Sequence, residues 1–251
     1  MAYNNTDRRV VCSVTTITVI VVKRNIEKNP ITPRAVLAAV LLVVLAVVVE
    51  YVEVNFFHGN IQPSTDILPS VISDWDTRTF LWINNGLANV YLSWFFNVVT
   101  GLGSTEPILI ASGLLYIAGR KREGLLLFAS VIIGTLITLP VKLAVPRPRP
   151  FATIPTTIVF DREGGSSFPS GHTMRAFSAA YVLSTIWPGF TLPFYLVACL
   201  VGFSRIYLGQ HYPFDVLVGI LFGLLAGHLT IGYKSKILKA ASRIGLYTSD
   251  Q

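Results

Sequence analysis

Apolar runs of near bilayer length recur along most of this chain, and no other feature constrains its fold as tightly. A helix rises about 1.5 Å per residue and a hydrocarbon core is about 30 Å thick, so one crossing takes roughly 20 residues. The chain has 251 residues, 52% of them hydrophobic and 13% charged. Soluble domains carry roughly 25% charged residues, and the mean hydropathy here is +0.60. Room exists for about six spans, and the reading is an all-α bundle of six transmembrane helices.

The runs set the boundaries. Residues 10–22 are apolar but reach only about 20 Å as a helix, so 1–33 reads as an N-terminal cytoplasmic or interfacial segment. A signal peptide fits poorly there, because Lys23 and Arg24 stand where a small-residue cleavage site belongs. Span one covers 34–54, with Glu50 and Glu53 at its exit. Residues 74–100 are amphipathic and carry Trp75, Trp82 and Trp94, rings suited to the headgroup layer, which predicts an interfacial helix between spans one and two. Spans two to six follow at 104–118, 123–142, 170–187, 191–206 and 213–233, and a basic tail occupies 234–251. The six-helix domain is therefore 34–233. Gly219, Gly223 and Gly227 form a small-residue ridge for close helix packing. Cys12 and Cys199 lie far apart in apolar stretches and read as packing residues, with no disulfide or thiolate site.

The net charge of +7 raises the question of nucleic acid, yet Lys and Arg sit between apolar runs rather than along one solvated face. Membrane topology accounts for them without nucleic acid. With six spans, the N-terminal segment, the Arg120-Lys121-Arg122 turn and the tail share one side, which the positive-inside rule makes cytoplasmic. This places a multi-pass protein in the cell membrane with both termini inside.

Basic residues on the opposite side break that rule, and most fall in three short stretches. These are Lys142 to Pro150, then Pro169-Ser170-Gly171-His172, then Ser204-Arg205 through His211 to Asp215. By span count all three meet at one membrane face, and ionisable groups gathered at one end of a bundle read as a site. Lys142, Arg149 and Arg205 offer positive charge to a phosphoryl group, arginine as a two-pronged donor and lysine as a point charge. Ser170 reads as an N-cap, which leaves the first amides of span four, at Gly171 and His172, facing the same anion. His211 precedes Asp215 by four residues, so a carboxylate can hold one ring nitrogen while the other attacks phosphorus. His172 then protonates the leaving group and activates water. Arg147, Arg162 and Arg175 fall outside this pattern, and His58 and His228 read as satisfied interfacial histidines.

At these residues the chain resembles the type 2 phosphatidic acid phosphatase (PAP2) superfamily, whose signature is K-x6-RP, PSGH and SR-x5-H-x3-D. All three parts stand here without departure. The resemblance implies hydrolysis of a lipid phosphate or polyprenyl pyrophosphate with no cofactor and no metal. It implies His211 as phosphohistidine, Asp215 orienting it, His172 as acid, and Lys142, Arg149, Ser170, Gly171 and Arg205 on the phosphate. Soluble superfamily members are disfavoured by the spans. Two rival classes remain: a transporter, which calls for polar groups at mid-bilayer, and a phosphotransferase with an acceptor other than water. Within hydrolases, phosphatidate and phosphatidylglycerophosphate are alternative substrates.

Overall fold

A computed structural model describes residues 68–247 apart from Asp161, together with the isolated helical positions Leu37, Val40, Val44, Val48 and Tyr51. Span one beyond those five positions, the segment 1–33, Cys12 and His58 lie outside the described residues. The described part is all-helical. In chain order the elements are α1 (Ser70–Asn84), α2 (Val90–Gly101), α3 (Thr105–Ile117), α4 (Lys121–Ala144), α5 (Pro150–Thr153), α6 (Gly171–Ile186), α7 (Thr191–Tyr207), α8 (Pro213–Gly232) and α9 (Lys234–Arg243).

Among the described residues, α4, α8 and the 20-residue stretch Pro188–Tyr207, which includes α7, are each long and apolar enough to cross a membrane. The segment expected to lie along the interface divides: α1 stands apart, while α2 continues into α3 across a 51° bend. Alone, the 13 residues of α3 reach about 20 Å; only the α2–α3 pair has the length and hydropathy of a span, which makes four candidates. α6 has 16 residues and falls short of that length.

Outward faces are apolar. Leu114, Leu136, Leu196, Leu217 and Leu221 are all exposed, the distribution expected where hydrocarbon rather than water is the neighbour. Cys199 also lies on an exposed face, which corrects its expected packing role: a small apolar thiol fits lipid as well as a helix interface. Inward faces carry small residues instead. A Cβ built on Gly219 would stand 2.7 Å from the Ser170 carbonyl, on Gly223 2.5 Å from the Met174 carbonyl, and on Gly227 2.5 Å from Tyr181 Cβ. The glycine ridge of α8 therefore lets it lie directly on α6, as its spacing predicts.

Both ends of the bundle are pinned. At one, Arg120 stacks on Trp187 at 5.1 Å, and α9 docks Ala241 beside Leu246 and Leu125, so the basic tail is a packed amphipathic helix. At the other, Asn84 ends α1 by donating to the carbonyls of Ile158 and Tyr207, both at 2.8 Å, and accepting the Thr157 N–H at 2.9 Å. One side chain thereby ties α1, the 154–169 loop and the end of α7 together. That end also gathers the C-termini of α4 and α7 and the N-termini of α6 and α8.

Candidate active site

The three sequence stretches converge at that end, each delivered by a helix terminus. Lys142 is buried in the last turn of α4. Beyond it the proline-spaced strand 145–149 runs extended, since proline removes the donors a helix requires, and carries Arg147 and Arg149 inward, both buried. Ser170 caps α6 by accepting the Thr173 N–H at 3.5 Å. Its hydroxyl also pairs with the Thr173 hydroxyl at 2.9 Å. Arg205 ends α7. Gly209 follows with φ +78°, a left-handed turn in which a Cβ would stand 2.6 Å from the Ile158 carbonyl, so only glycine brings His211 back over the site.

His211 is buried and its ring orientation is decided by one acceptor. Nδ1 lies 2.6 Å from the Ser167 carbonyl oxygen, which can only accept, so Nδ1 carries the proton. Nε2 is left with its lone pair, 3.4 Å from Arg149 Nη1, which can only donate. Asp215 Oδ2 stands 3.8 Å from Nδ1. It therefore supports the ring at close range while the Ser167 carbonyl accepts the Nδ1–H hydrogen bond. Asp215 is itself held by the Ser167 hydroxyl at 2.5 Å, the Tyr212 N–H at 3.0 Å and Arg147 at 2.6 Å. Burial first, then Arg149 and Arg205, push the His211 pKa down to about 4 against the upward pull of Asp215.

His172 has the complementary arrangement. Arg175 Nη2 lies 3.5 Å from Nδ1 and can only donate, while Arg175 Nε donates to the Gly103 carbonyl at 3.0 Å. The neutral ring then keeps its proton on Nε2, 3.2 Å from the Ser104 hydroxyl. One histidine thus presents a lone pair and the other an N–H. Gly103 permits this approach, because a Cβ there would meet the His172 carbonyl at 3.0 Å.

An anion already sits among these groups. The Glu163 carboxylate lies 2.5 Å from Arg205 Nη2, 3.3 Å from Arg149 Nη1 and 4.0 Å from His172 Nε2. Burial acts to raise its pKa, and Arg205, His172 and Arg149 outweigh that and hold it well below the ordinary carboxylate range. Arg205 also donates to the Thr100 hydroxyl at 2.8 Å, and its buried Nε has no hydrogen-bond partner among the described residues.

Sequence reasoning missed Glu163, Ser104, Thr100 and Asp76. Glu163 sits in a stretch that spells only a loop, and the others stand on elements without a motif. Of the three arginines outside the pattern, Arg147 turns away from the pocket, Arg175 serves His172, and Arg162 is exposed. His228 is satisfied by the Tyr181 hydroxyl at 3.1 Å. Among the described residues, no group of three or more His, Cys, Asp or Glu side chains is placed to hold a metal ion.

The family model for the PAP2 superfamily matches residues 123–238. The chain is similar to lipid A 1-phosphatase of Rhizobium etli, with 30% identity over 151 residues covering 50% of this chain and 64% of that one, so it spans less than two thirds of that relative. It is 34% identical over 166 residues to phosphatidylglycerophosphatase B of Bacillus subtilis, covering 57% of this chain and 77% of the relative. The crystal structure of Aquifex aeolicus LpxE superposes with a TM-score of 0.58 at 32% identity, covering 62% of this chain and 94% of that one.

Proposed function

This chain belongs to the PAP2 superfamily, and on that premise we propose that it is an integral membrane phosphatase that removes phosphate from a lipid phosphate or lipid pyrophosphate through a phosphohistidine. One observation carries the reading: a carboxylate, Glu163, is held by Arg205 and Arg149 beside His172, in the place a phosphoryl group would take. Arg149 Nη1 touches that carboxylate and stands 3.4 Å from His211 Nε2, so an anion seated there lies before the ring's lone pair.

The chemistry runs in two displacements. His211 Nε2 forms a bond to phosphorus while the bond from phosphorus to the leaving oxygen breaks; His172, protonated to the imidazolium as the anionic substrate seats beside it, gives its Nε2 proton to that oxygen and is left neutral. Water, giving its proton back to His172, then attacks the phosphohistidine; inorganic phosphate leaves and His211 returns. Arg149, Arg205, Lys142 and the first amides of α6 at Gly171 and His172 stabilise charge on the transferring group. This cationic set does the work a metal does elsewhere, so the reaction needs none.

The chain is further proposed to cross the membrane six times, with span one at 34–54, α1 along the interface and α6 as a short fourth crossing closed by its loops. The basic turn 120–122 and α9 lie at the end opposite the pocket, which supports cytoplasmic termini and a site on the outer face of the cell membrane.

Release of inorganic phosphate from phosphatidate, phosphatidylglycerophosphate, lipid A and undecaprenyl pyrophosphate tests the activity. Turnover survives EDTA, is blocked by vanadate and is lost in His211→Ala. Radiolabelled substrate leaves acid-labile label on the wild type and none on that variant. Strict magnesium dependence, or label that persists in His211→Ala, refutes the mechanism. Adding acceptor lipid without loss of free phosphate excludes a phosphotransferase.

A further inference from the structure

Behind His211, on the side away from Glu163, three charged side chains form a buried chain. Arg147 donates from Nη1 to Asp215 Oδ1 at 2.6 Å and from Nη2 to Asp76 Oδ2 at 2.7 Å. Asp76 is fully buried in α1, outside all three motifs. Its Oδ1 accepts the N–H of Phe214, in the first turn of α8, at 2.7 Å. The guanidinium carbon lies over the Tyr212 ring, 4.0 Å from its centroid.

Charge explains why two carboxylates are needed. An arginine paired with Asp215 alone would make a neutral couple and quench the carboxylate that stands nearest His211. Asp76 restores a net charge of −1 to the group. That charge matters at one moment: when Nε2 bonds to phosphorus, a ring already protonated on Nδ1 becomes an imidazolium. In a buried site, one uncompensated charge weighs far more than in water.

We infer that Asp76 is a positioning residue for phosphoryl transfer, acting through Arg147 to fix Asp215 and to leave its negative charge available to the His211 ring. The inference rests on the phosphohistidine reading above and deepens it. It also gives α1 a role in the chemistry, since its Asp76 holds the N-terminus of α8. The ionisation of Asp76 supplies a test. Burial raises the Asp76 pKa to about 6, against the lowering pull of Arg147 and the Phe214 N–H. The other titratable groups facing it are Asp215 and the Tyr212 phenol. Wild-type protein therefore loses the Asp76 charge as pH falls through about 6.

Asp76→Asn tests this, because the amide is isosteric and its oxygen still accepts from Phe214. Purified wild type and variant are compared for phosphate release from undecaprenyl pyrophosphate, or from whichever panel lipid the wild type turns over fastest, between pH 5 and 8. At pH 7.5 the variant's kcat is lower by about tenfold or more, with KM within about twofold. The ratio of the two rates approaches one below pH 6, where both proteins carry a neutral side chain at position 76; ionisations of substrate and of His172 cancel in that ratio. Adding Arg147→Gln to Asp76→Asn removes the cation that quenches Asp215 and restores part of kcat, a non-additive outcome. A merely structural role predicts a pH-independent loss and a double variant no better than the worse single one. Equal kcat, a flat ratio or failure of the double variant to recover overturns the inference. Should Asp76→Asn not accumulate, the double variant decides alone, with kcat within about tenfold of wild type expected and a larger loss refuting it. A wild type inactive on every lipid instead removes the phosphatase reading itself.

Discussion

On the proposed mechanism Glu163 and an incoming phosphate need the same two guanidinium groups, and Arg149 and Arg205 cannot serve both. Removing the carboxylate's charge leaves the seat cationic without changing its shape. Glu163→Gln therefore lowers the vanadate concentration for half-inhibition by about tenfold, a difference of roughly 1.4 kcal/mol; equal or weaker inhibition would show that Glu163 does not compete. His211 offers a second prediction from its depressed pKa of about 4. Between about pH 6.5 and 4 the unfolded chain takes up a proton that the folded ring refuses, so stability falls as pH drops through that window, by about 3 kcal/mol at its foot. Thermal unfolding in detergent checks this: the unfolding temperature of the wild type declines more steeply over that range than that of His211→Gln. Asp76, raised to about 6, has the opposite slope, and the comparison of the two proteins cancels it.

Helix packing controls the site through α6 and α8. Gly219 lies against the Ser170 carbonyl, and Ser170 caps the helix that carries His172, so added volume there moves the phosphate seat. Gly219→Val costs about 1–3 kcal/mol of stability through overpacking and lowers kcat. Gly232→Ala, where a Cβ meets nothing within 4 Å, leaves both unchanged. Unfolding temperature and phosphate release of the two variants provide the check. The α2–α3 bend contributes in the same way, because its turn presents the Gly103 carbonyl to Arg175, Ser104 to His172 and Thr100 to Arg205. A straight helix through 100–104 would carry these groups past the pocket.

At the scale of the molecule, charge and chemistry separate to opposite ends of the bundle. In a background lacking Cys12 and Cys199, cysteine at Arg162 reacts with an impermeant maleimide in intact cells, and cysteine at Lys236 reacts only after permeabilisation. The reverse pattern would place the pocket in the cytoplasm. Much of this was legible in the chain. Apolar runs announce α4, α7 and α8 because crossing hydrocarbon is a local requirement of length and composition. The three motifs announce His172, His211, Arg149 and Arg205 because each is short enough to be read within a single helix end. What no local pattern held was the pairing across the bundle: Arg147 meets Asp76 and Asp215 at sequence separations of 71 and 68. Glu163 enters the pocket from an irregular loop. Those contacts exist only once helix packing brings distant charges together where water no longer screens them, so the sequence determined the apolar helices and the three motifs at their ends, and tertiary structure alone decided which charge faces which.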